Sequence, residues 1–441
     1  MSTAEKLDYL DGGTAVELRG DPITGDRYYS KDFMEREWDH MWTRIWHLGP
    51  HLSEIPEPGD YRVHDFRHES VIIIRQEDGT VRAFYNTCRH RGNRLAWSEL
   101  GSGNGFVCSY HGWEWGIDGM LNHVQDPDDF ENGNPCGTLT LSELRCETWG
   151  GFAWWNMDDD APTLLDYLDP IPYLFRHRPM DTSTRVIWRT FAVNTNWKFA
   201  SDNFNESYHL PTVHPELRAS IDEDYANTVF EMYPTGHNRM IEMGQPSMRA
   251  DNPNEVEEPW DSILAEWDLD PADFAGRSRE GRVALQQAKR EKWREKGFLH
   301  YEHYDDAELT DPHHHTLFPN VTMTAGPEGV HIFRTEPHID DPNKCTFDYY
   351  FLAPPIEGAT EIGTIVGMRP LEDAEHEFFD YGDGIDVPDM RGSFLVQDLS
   401  VAVGQQRGLR SRGYTDAHLC GQESRVRRFH EVLNDYLEGR R

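Results

Sequence analysis

Two histidines five residues apart, His209 and His214, close a stretch that opens with Asn196-Trp197-Lys198 and carries Asn203 and Glu206 on the way. Two imidazoles joined by a carboxylate from elsewhere in the chain form a donor set that holds iron while leaving coordination positions open. The same rings also suit a helix whose histidines are ordinary polar residues near a bend. The stretch by itself leaves both readings standing.

A second donor set lies upstream. Cys88-Arg89-His90 is followed, after seventeen residues, by Cys108-Ser109-Tyr110-His111. Thiolates are soft donors that suit zinc and iron–sulfur clusters. In a Rieske [2Fe–2S] centre two cysteines hold one iron and two histidines the other, and the neutral imidazoles raise the potential. A structural zinc site also takes two Cys and two His, but it favours a close cysteine pair on one side. Here each loop supplies one Cys and one His, the division that a cluster of two irons needs. His313-His314-His315 is a third candidate. On a strand, three successive side chains alternate faces and cannot meet at one ion, so these are expected at a pocket rim or in solvent.

The elements that must position these donors are legible in part. Ser30 caps a helix on which Met34, Trp38, Met41, Trp42 and Ile45 form one apolar face. After Pro56-Glu57-Pro58-Gly59, strands are expected over Tyr61–Phe66, Ser70–Arg75 and Val81–Tyr85, a small β domain with the cysteine loops at its edge. Met157-Asp158-Asp159-Asp160-Ala161-Pro162 marks its end. Beyond it, Arg185–Asn194 reads as a strand and Trp197 to His209 as one helix stopped by Pro211. Residues 249–312 are highly charged, with helical segments of which Gly281–Lys296 is the clearest; they suit a lid over a pocket, but a solvated insertion is the safer reading. Thr316–Thr324, Gly329–Thr335 and Lys344–Leu352 read as strands. Pro388–Gln406 and Ser424–Leu437 read as helices, the last with a core-facing stripe through Val426, Phe429, Val432, Leu433 and Tyr436.

With 441 residues, of which 27% are charged and 12% aromatic, the chain has the composition of a globular protein with two or three domains. A net charge of −36 argues against nucleic acid or anionic lipid as a partner. No apolar run reaches the roughly 20 residues of a membrane span, and the N-terminus lacks the pattern of a signal peptide, so a cytoplasmic location is expected. There six cysteines are not expected to form disulfides.

Cys88-Arg89-His90-Arg91-Gly92 and Cys108-Ser109-Tyr110-His111-Gly112-Trp113 resemble the two cluster loops of Rieske non-haem iron oxygenases, in their terminal oxygenase component, the alpha subunit of aromatic-ring-hydroxylating type. The resemblance implies that Cys88 and Cys108 hold one iron of a [2Fe–2S] cluster and His90 and His111 the other. Ser109 stands where most relatives have proline, a change that bears on hydrogen bonding near the cluster. The stretch from Asn196 to His214 is similar to the iron-binding segment of the same family. This makes His209 and His214 two ligands of a mononuclear Fe(II). The third is Asp398, leading to Gln406-Arg407-Gly408-Leu409. Glu206 would bridge this site to a cluster histidine of a neighbouring subunit, and Asn203 and Tyr208 would stand beside the iron or in the pocket wall. The glutamate and its spacing from Asn203 are similar to members acting on quaternary amines and to less studied aromatic oxygenases.

The resemblance implies an α+β fold: a small all-β Rieske domain over 48–157 and a catalytic domain over 158–441, an antiparallel sheet covered by helices in a helix-grip, START-like arrangement. Residues 1–47 would be an arm and helix packed on the catalytic domain. The implied activity is a mono- or dioxygenase reaction in which electrons from a separate NAD(P)H-dependent reductase, directly or through a ferredoxin, pass through the cluster to Fe(II). There O2 hydroxylates or dihydroxylates an aromatic substrate. Oxidative demethylation of a quaternary amine or methyl ether uses the same sites, and a non-catalytic zinc module is the alternative of another class. Arg89, Arg91 and Arg94 would offer the redox partner a basic patch. The assembly is expected to be a homotrimer or a multiple of it, with room for a small beta subunit.

Overall fold

The computed structural model describes residues 16–384 and 394–441. The chain divides into two compact units, Arg36–Tyr167 and a larger one of Met1–Glu35 with Leu168–Arg441. In the small unit, β1 (His47–His51), β2 (Asp60–Phe66), β3 (Glu69–Arg75), β4 (Val81–Tyr85), β5 (Leu100–Ser102), β9 (Glu143–Trp149) and β10 (Phe152–Asn156) form a seven-stranded antiparallel sheet in the order β1-β10-β9-β4-β3-β2-β5. A second sheet of three strands, β6 (Gly105–Val107), β7 (Glu114–Gly116) and β8 (Leu121–His123), carries the second cysteine loop. Val71 to Ile74 are all buried, and the core that Ile72 and Ile74 enter includes Cys88, Cys108, Trp113 and Trp115. The cluster loops are thus part of the apolar core and not appended to it.

Both ends of this unit differ from the expected boundaries at 47 and 157. The Ser30 hydroxyl accepts the Phe33 N–H as expected of a cap, but the helix Lys31–Glu37 gives way to a wider turn over Trp38–Trp42. Trp42 and His47 pack on Phe66, and His47 stacks on Trp155 at 4.2 Å. This aromatic cluster draws residues from Arg36 onward into the small unit. At the other end, the Trp46 indole donates to Pro162 O, and Glu147 Oε2 accepts the Leu164 N–H. Residues 158–167 therefore stay with the small unit.

The larger unit is built on an eight-stranded sheet in the order β12-β13-β14-β15-β16-β17-β11-β20. Its strands are β11 (Thr184–Val193), β12 (Val229–Met232), β13 (Asn238–Ile241), β14 (His313–Leu317), β15 (Val321–Ala325), β16 (Val330–Pro337), β17 (Cys345–Ala353) and β20 (Glu377–Gly382), with β18 (Glu361–Thr364) and β19 (Gly367–Pro370) paired in a separate hairpin. All pairings are antiparallel except β11 with β20. Phe318-Pro319-Asn320 breaks the expected strand over 316–324 into the hairpin β14–β15. The helix Ser424–Leu437 is buried along nearly its whole length. The helix Phe394–Gly408 presents Leu395, Asp398, Leu399, Ala402, Val403 and Gln406 inward; the earlier part of that expected helix, 388–393, lies outside the described residues. Among the described residues no helix is long and apolar enough to cross a membrane.

Residues 249–312 are more than a solvated insertion. Trp260, Leu264, Trp267, Leu285, Phe298, Tyr301 and Tyr304 close a core of their own; of the charges on Gly281–Lys292, Arg290 pairs with Asp306 on the outer face, whereas the buried Lys289 lies over the Trp267 and Tyr301 rings and pairs with Glu328. His300 sits in this core, with its Nε2–H 3.3 Å from Pro327 O. Burial pulls its imidazole down to about 4. The unfolded chain protonates at about 6.5 and the folded chain only at about 4, so between those values the unfolded state binds more protons and stability falls as pH falls. We expect His300→Phe to recover up to about 3 kcal/mol of the stability lost between pH 7 and pH 4. Urea unfolding of both proteins across that range measures it, and equal pH slopes would exclude it.

Candidate functional site

The two cysteine loops make the same turn. Gly92 N–H donates to Cys88 O and Gly112 N–H to Cys108 O, each at 2.9 Å; Cys88 N–H and Cys108 N–H donate to Asn93 O and Trp113 O, each at 2.8 Å. The turn needs a positive φ at its fourth step, which Gly92 (76°) and Gly112 (69°) supply without strain. Both thiols are buried, and both imidazoles are partly exposed. His90 Nδ1 and His111 Nδ1 lie 3.1 Å apart, and the Trp113 ring stacks on His90 at 4.5 Å and 8°, fixing its plane. Burial pushes the Cys88 thiol up. Burial opposes ionisation of Cys108 as well, but the N–H groups of Tyr110 and His111, with the Cys88 and Asn93 side chains, bring it below the ordinary thiol value. The donors therefore fall into a sulfur pair and a nitrogen pair.

A single zinc ion requires all four donors around one point, with Zn–S about 2.3 Å and Zn–N about 2.0 Å. Among the described residues, only His209, His214 and Asp398 bring three donor atoms within 4.8 Å of one another. The Cys88–His90–Cys108–His111 set does not converge in that way, which removes the zinc reading. Two separate pairs fit a cluster with sulfur on one iron and nitrogen on the other. Ser109 Oγ accepts the Asn93 side-chain N–H at 3.1 Å, and the same amide lies 3.7 Å from Cys108 Sγ. The residue that departs from the family pattern is thus tied to a donor beside a ligand sulfur. Of the expected basic patch, Arg94 is paired with Asp65 at 3.0 Å, whereas Arg89 donates to the neutral Thr140 O and the exposed Arg91 lies over the Tyr110 ring, contacts that leave both positive charges in place.

In the larger unit the expected single helix is broken. A helix covers Lys198–Asn203, and a separate turn covers Leu210–Val213, with His209 and His214 at its two ends. Pro211 lies in the first turn, where its missing N–H has no partner to lose, so it shapes the second helix and does not end the first. Glu206 reaches His209 without sharing a helix face: its Oε2 accepts the His209 backbone N–H at 3.1 Å and its Oε1 faces His209 Nδ1 at 2.7 Å. His214 Nδ1 is 2.6 Å from Gln397 Oε1. With Nδ1–H donated to Glu206 and Gln397, both rings leave Nε2 for a metal. Asp398 Oδ1 lies 2.8 Å from His214 Nε2 and 3.7 Å from His209 Nε2.

Burial pulls the His209 imidazole down, but Glu206, then Asp398 and Glu242, outweigh it and raise the ring above its usual value. Three carboxylates acting on one buried imidazole mark a place short of positive charge. Two nitrogens and one carboxylate oxygen, with the rest of the sphere facing a cavity, fit Fe(II) in a facial triad. The cavity has a volume of about 240 Å³ and is lined by Phe204, Phe333, Phe394, Met240, Leu217 and Ile221 among others, with no lysine or arginine among its described lining residues.

Asn203 and Glu206 line this cavity. Tyr208 does not; it is 58% exposed. His314 enters the cavity wall from β14, whereas His313 and His315 are buried on the opposite face of the strand, His315 against Phe175. The expected rim or solvent setting therefore fails for those two, because that face is covered. Gln397 was missed; its signal is its place next to Asp398. Gln406, marked in the sequence only by its spacing from Asp398, accepts the Asn196 N–H at 3.1 Å and so ties the two halves of the site together.

Residues 147–439 match the family of the ring hydroxylating alpha subunit (catalytic domain), and residues 45–134 match the Rieske [2Fe-2S] domain. The chain is 37% identical over 195 residues to the large oxygenase component of the naphthalene 1,2-dioxygenase system of Ralstonia sp., covering 42% of each protein. It is 30% identical over 199 residues to the carnitine monooxygenase oxygenase subunit of Escherichia coli (strain K12), covering 45% of this chain and 53% of that protein. The aligned stretch thus spans about half or less of these relatives' own length. In fold, the chain is similar to a mutant naphthalene 1,2-dioxygenase bound to phenanthrene, with a TM-score of 0.66 at 22% identity, covering 96% of this chain and 93% of the other. The cofactors of the family, a Rieske [2Fe–2S] cluster and mononuclear Fe(II), are those that the two donor sets fit. The chain belongs to the ring-hydroxylating alpha-subunit family, with a Rieske [2Fe–2S] domain preceding its catalytic domain.

Proposed function

We propose that this chain is a terminal oxygenase that uses O2 to hydroxylate or dihydroxylate an aromatic substrate. The observation that carries the reading is the three-donor site His209–His214–Asp398 opening onto an apolar, phenylalanine-lined cavity in a chain that also carries the two-and-two donor loops. When bound, the cluster and Fe(II) supply one-electron transfer and oxygen activation. His209 and His214 offer Nε2, and Glu206 and Gln397 hold their Nδ1 protons and ring planes. Phe204, Phe333 and Phe394 exclude water and position the ring. Asn203 lies in the cavity wall, its Nδ2 buried with no protein partner among the described residues, where it can donate to substrate or to water. Tyr208 is assigned to contact with a neighbouring subunit, which its exposure favours over a role in this chain's cavity.

Electrons would come from a separate NAD(P)H-dependent reductase, directly or through a ferredoxin. Glu206, bonded to a ligand imidazole, would pass them on from the cluster of a neighbouring subunit in a homotrimer or a multiple of it, with or without a small beta subunit. A reducing, cytoplasmic setting suits the six unpaired cysteines.

Product analysis under 18O2 with a panel of aromatic compounds tests the reaction: labelled phenol or cis-diol is expected, and formaldehyde without ring oxygenation would select oxidative demethylation instead. Asp398→Ala and His209→Ala are expected to lose the mononuclear iron and all turnover while keeping the visible absorption of the cluster; loss of that colour in both would undo the separation of the two sites. Glu206→Gln is expected to keep both metals but slow cluster reoxidation in a single turnover by about 10- to 100-fold. An unchanged rate would leave Glu206 with an orienting role only.

A further inference from the structure

The floor of the cavity carries one polar row that none of the roles above uses. Met240, His314, Thr324 and His331 are cross-strand partners on β13, β14, β15 and β16 and all four line the cavity. Glu242, two residues beyond Met240, lines it as well. Its Oε2 is 3.1 Å from His314 Nε2, and His314 Nδ1 is 2.9 Å from the Thr324 hydroxyl. With Nε2–H donated to Glu242, Nδ1 accepts the Thr324 O–H, and the carboxylate is held in one orientation. Glu242 is 1% exposed, and its Oε1 has no hydrogen-bond partner among the described residues. The buried Arg425 is the guanidinium nearest in effect, but its donors go to Asn238, Thr316 and the carbonyls of Phe204 and His314, not to Glu242.

A buried carboxylate oxygen without a donor is costly unless something fills that position. Among the described residues the cavity lining supplies no lysine or arginine to do so. It also places Glu206 and Asp398 in the same wall. An anionic substituent would meet three carboxylates there, whereas an N–H or ammonium group would find a fixed acceptor.

We propose that Glu242 determines substrate specificity by accepting a hydrogen bond from the substrate, and that the substrate is an aromatic compound bearing an amine or other N–H donor. This rests on the aromatic oxygenase reading and narrows it: among the described residues an aromatic acid is the poorest fit. The amine end docks on Glu242, His314 and Thr324 hold that carboxylate, and the phenylalanine wall takes the ring.

Binding of aniline, benzylamine, toluene and benzoate to the holoenzyme, read by calorimetry, tests it. Aniline and benzylamine are expected to bind on the order of tenfold or more tighter than toluene, with benzoate weakest. Glu242→Leu keeps the volume and removes the acceptor, so it should erase the amine preference. Glu242→Gln should keep part of the aniline preference and lose that for benzylamine, whose ammonium needs the charge. Iron content and the visible spectrum report whether each variant is intact, and if the leucine variant fails that check, the wild-type ranking and the glutamine variant decide. Toluene binding as well as aniline to the wild type, or the same ranking in wild type and variants, overturns the role of Glu242 alone. Binding of none of the four overturns the aromatic reading and this inference with it.

Discussion

A cavity wall that holds Glu206, Glu242 and Asp398, with no lysine or arginine among its described lining residues, is stable only if other partners meet those charges. Imidazoles meet two of them, His209 for Glu206 and His314 for Glu242, with the buried Arg425 guanidinium acting on both acids from behind the wall, while Asp398 faces the bare Nε2 of His214. Glu206 and Glu242 are thereby oriented, and two of the three imidazoles face one another across a point where a divalent cation completes the balance. The rest of the larger unit serves to keep that point in place. Asp398 arrives on the helix Phe394–Gly408, whose Gln406 accepts the Asn196 N–H and donates to Tyr28 O and Asn343 Oδ1. Asp202 is held by the Tyr28 hydroxyl at 2.6 Å and by His430 at 3.0 Å. The Thr316 hydroxyl donates to Asn205 at 2.8 Å and pins the turn before Glu206 to the sheet. Without such ties, residues 184 positions apart would not hold a 2.8 Å contact.

The small unit solves a related problem by repetition. Two loops make one turn twice, each with a glycine at the position that other residues occupy only with strain. Because the turns are alike, each presents one thiol inward and one imidazole outward. The sulfur pair is then buried in the apolar core, and the nitrogen pair stays near solvent, where an electron can enter or leave. Tryptophan stacking on His90 and the Asn93–Ser109 contact add fixed packing and fixed dipoles around that pair of loops.

The cavity combines two recognition surfaces of unlike kind. Phenylalanine side chains form a wall that any flat apolar ring satisfies. The row Glu242–His314–Thr324 is directional and satisfied by few groups. The proposed oxygenase reaction would need both, since a ring must be held loosely enough to leave and oriented well enough that one carbon faces the metal.

Much of the site was legible in the sequence because its donors are chemically rare and locally spaced. Cys88-x-His90 and Cys108-x-x-His111 need no long-range information, and neither does the pair His209 and His214. Asp398 was implied only by the family resemblance, and the hydrogen bond from Asn196 to Gln406 shows how its helix is tied to the histidine segment. The sequence alone determined the donor chemistry, the two-part α+β organisation and the family. It did not determine the broken helix around Pro211, because a proline suits the first turn of one helix as well as the end of another. Nor did it show that charged residues 249–312 hide a tryptophan and tyrosine core, since periodicity weakens when segments are short. Only the tertiary structure decided where Gln397, Glu242 and His314 fall and left Tyr208 outside the cavity. Those outcomes depend on which face of a strand or turn is covered, and sheet register, set by contacts between distant strands, fixes that face.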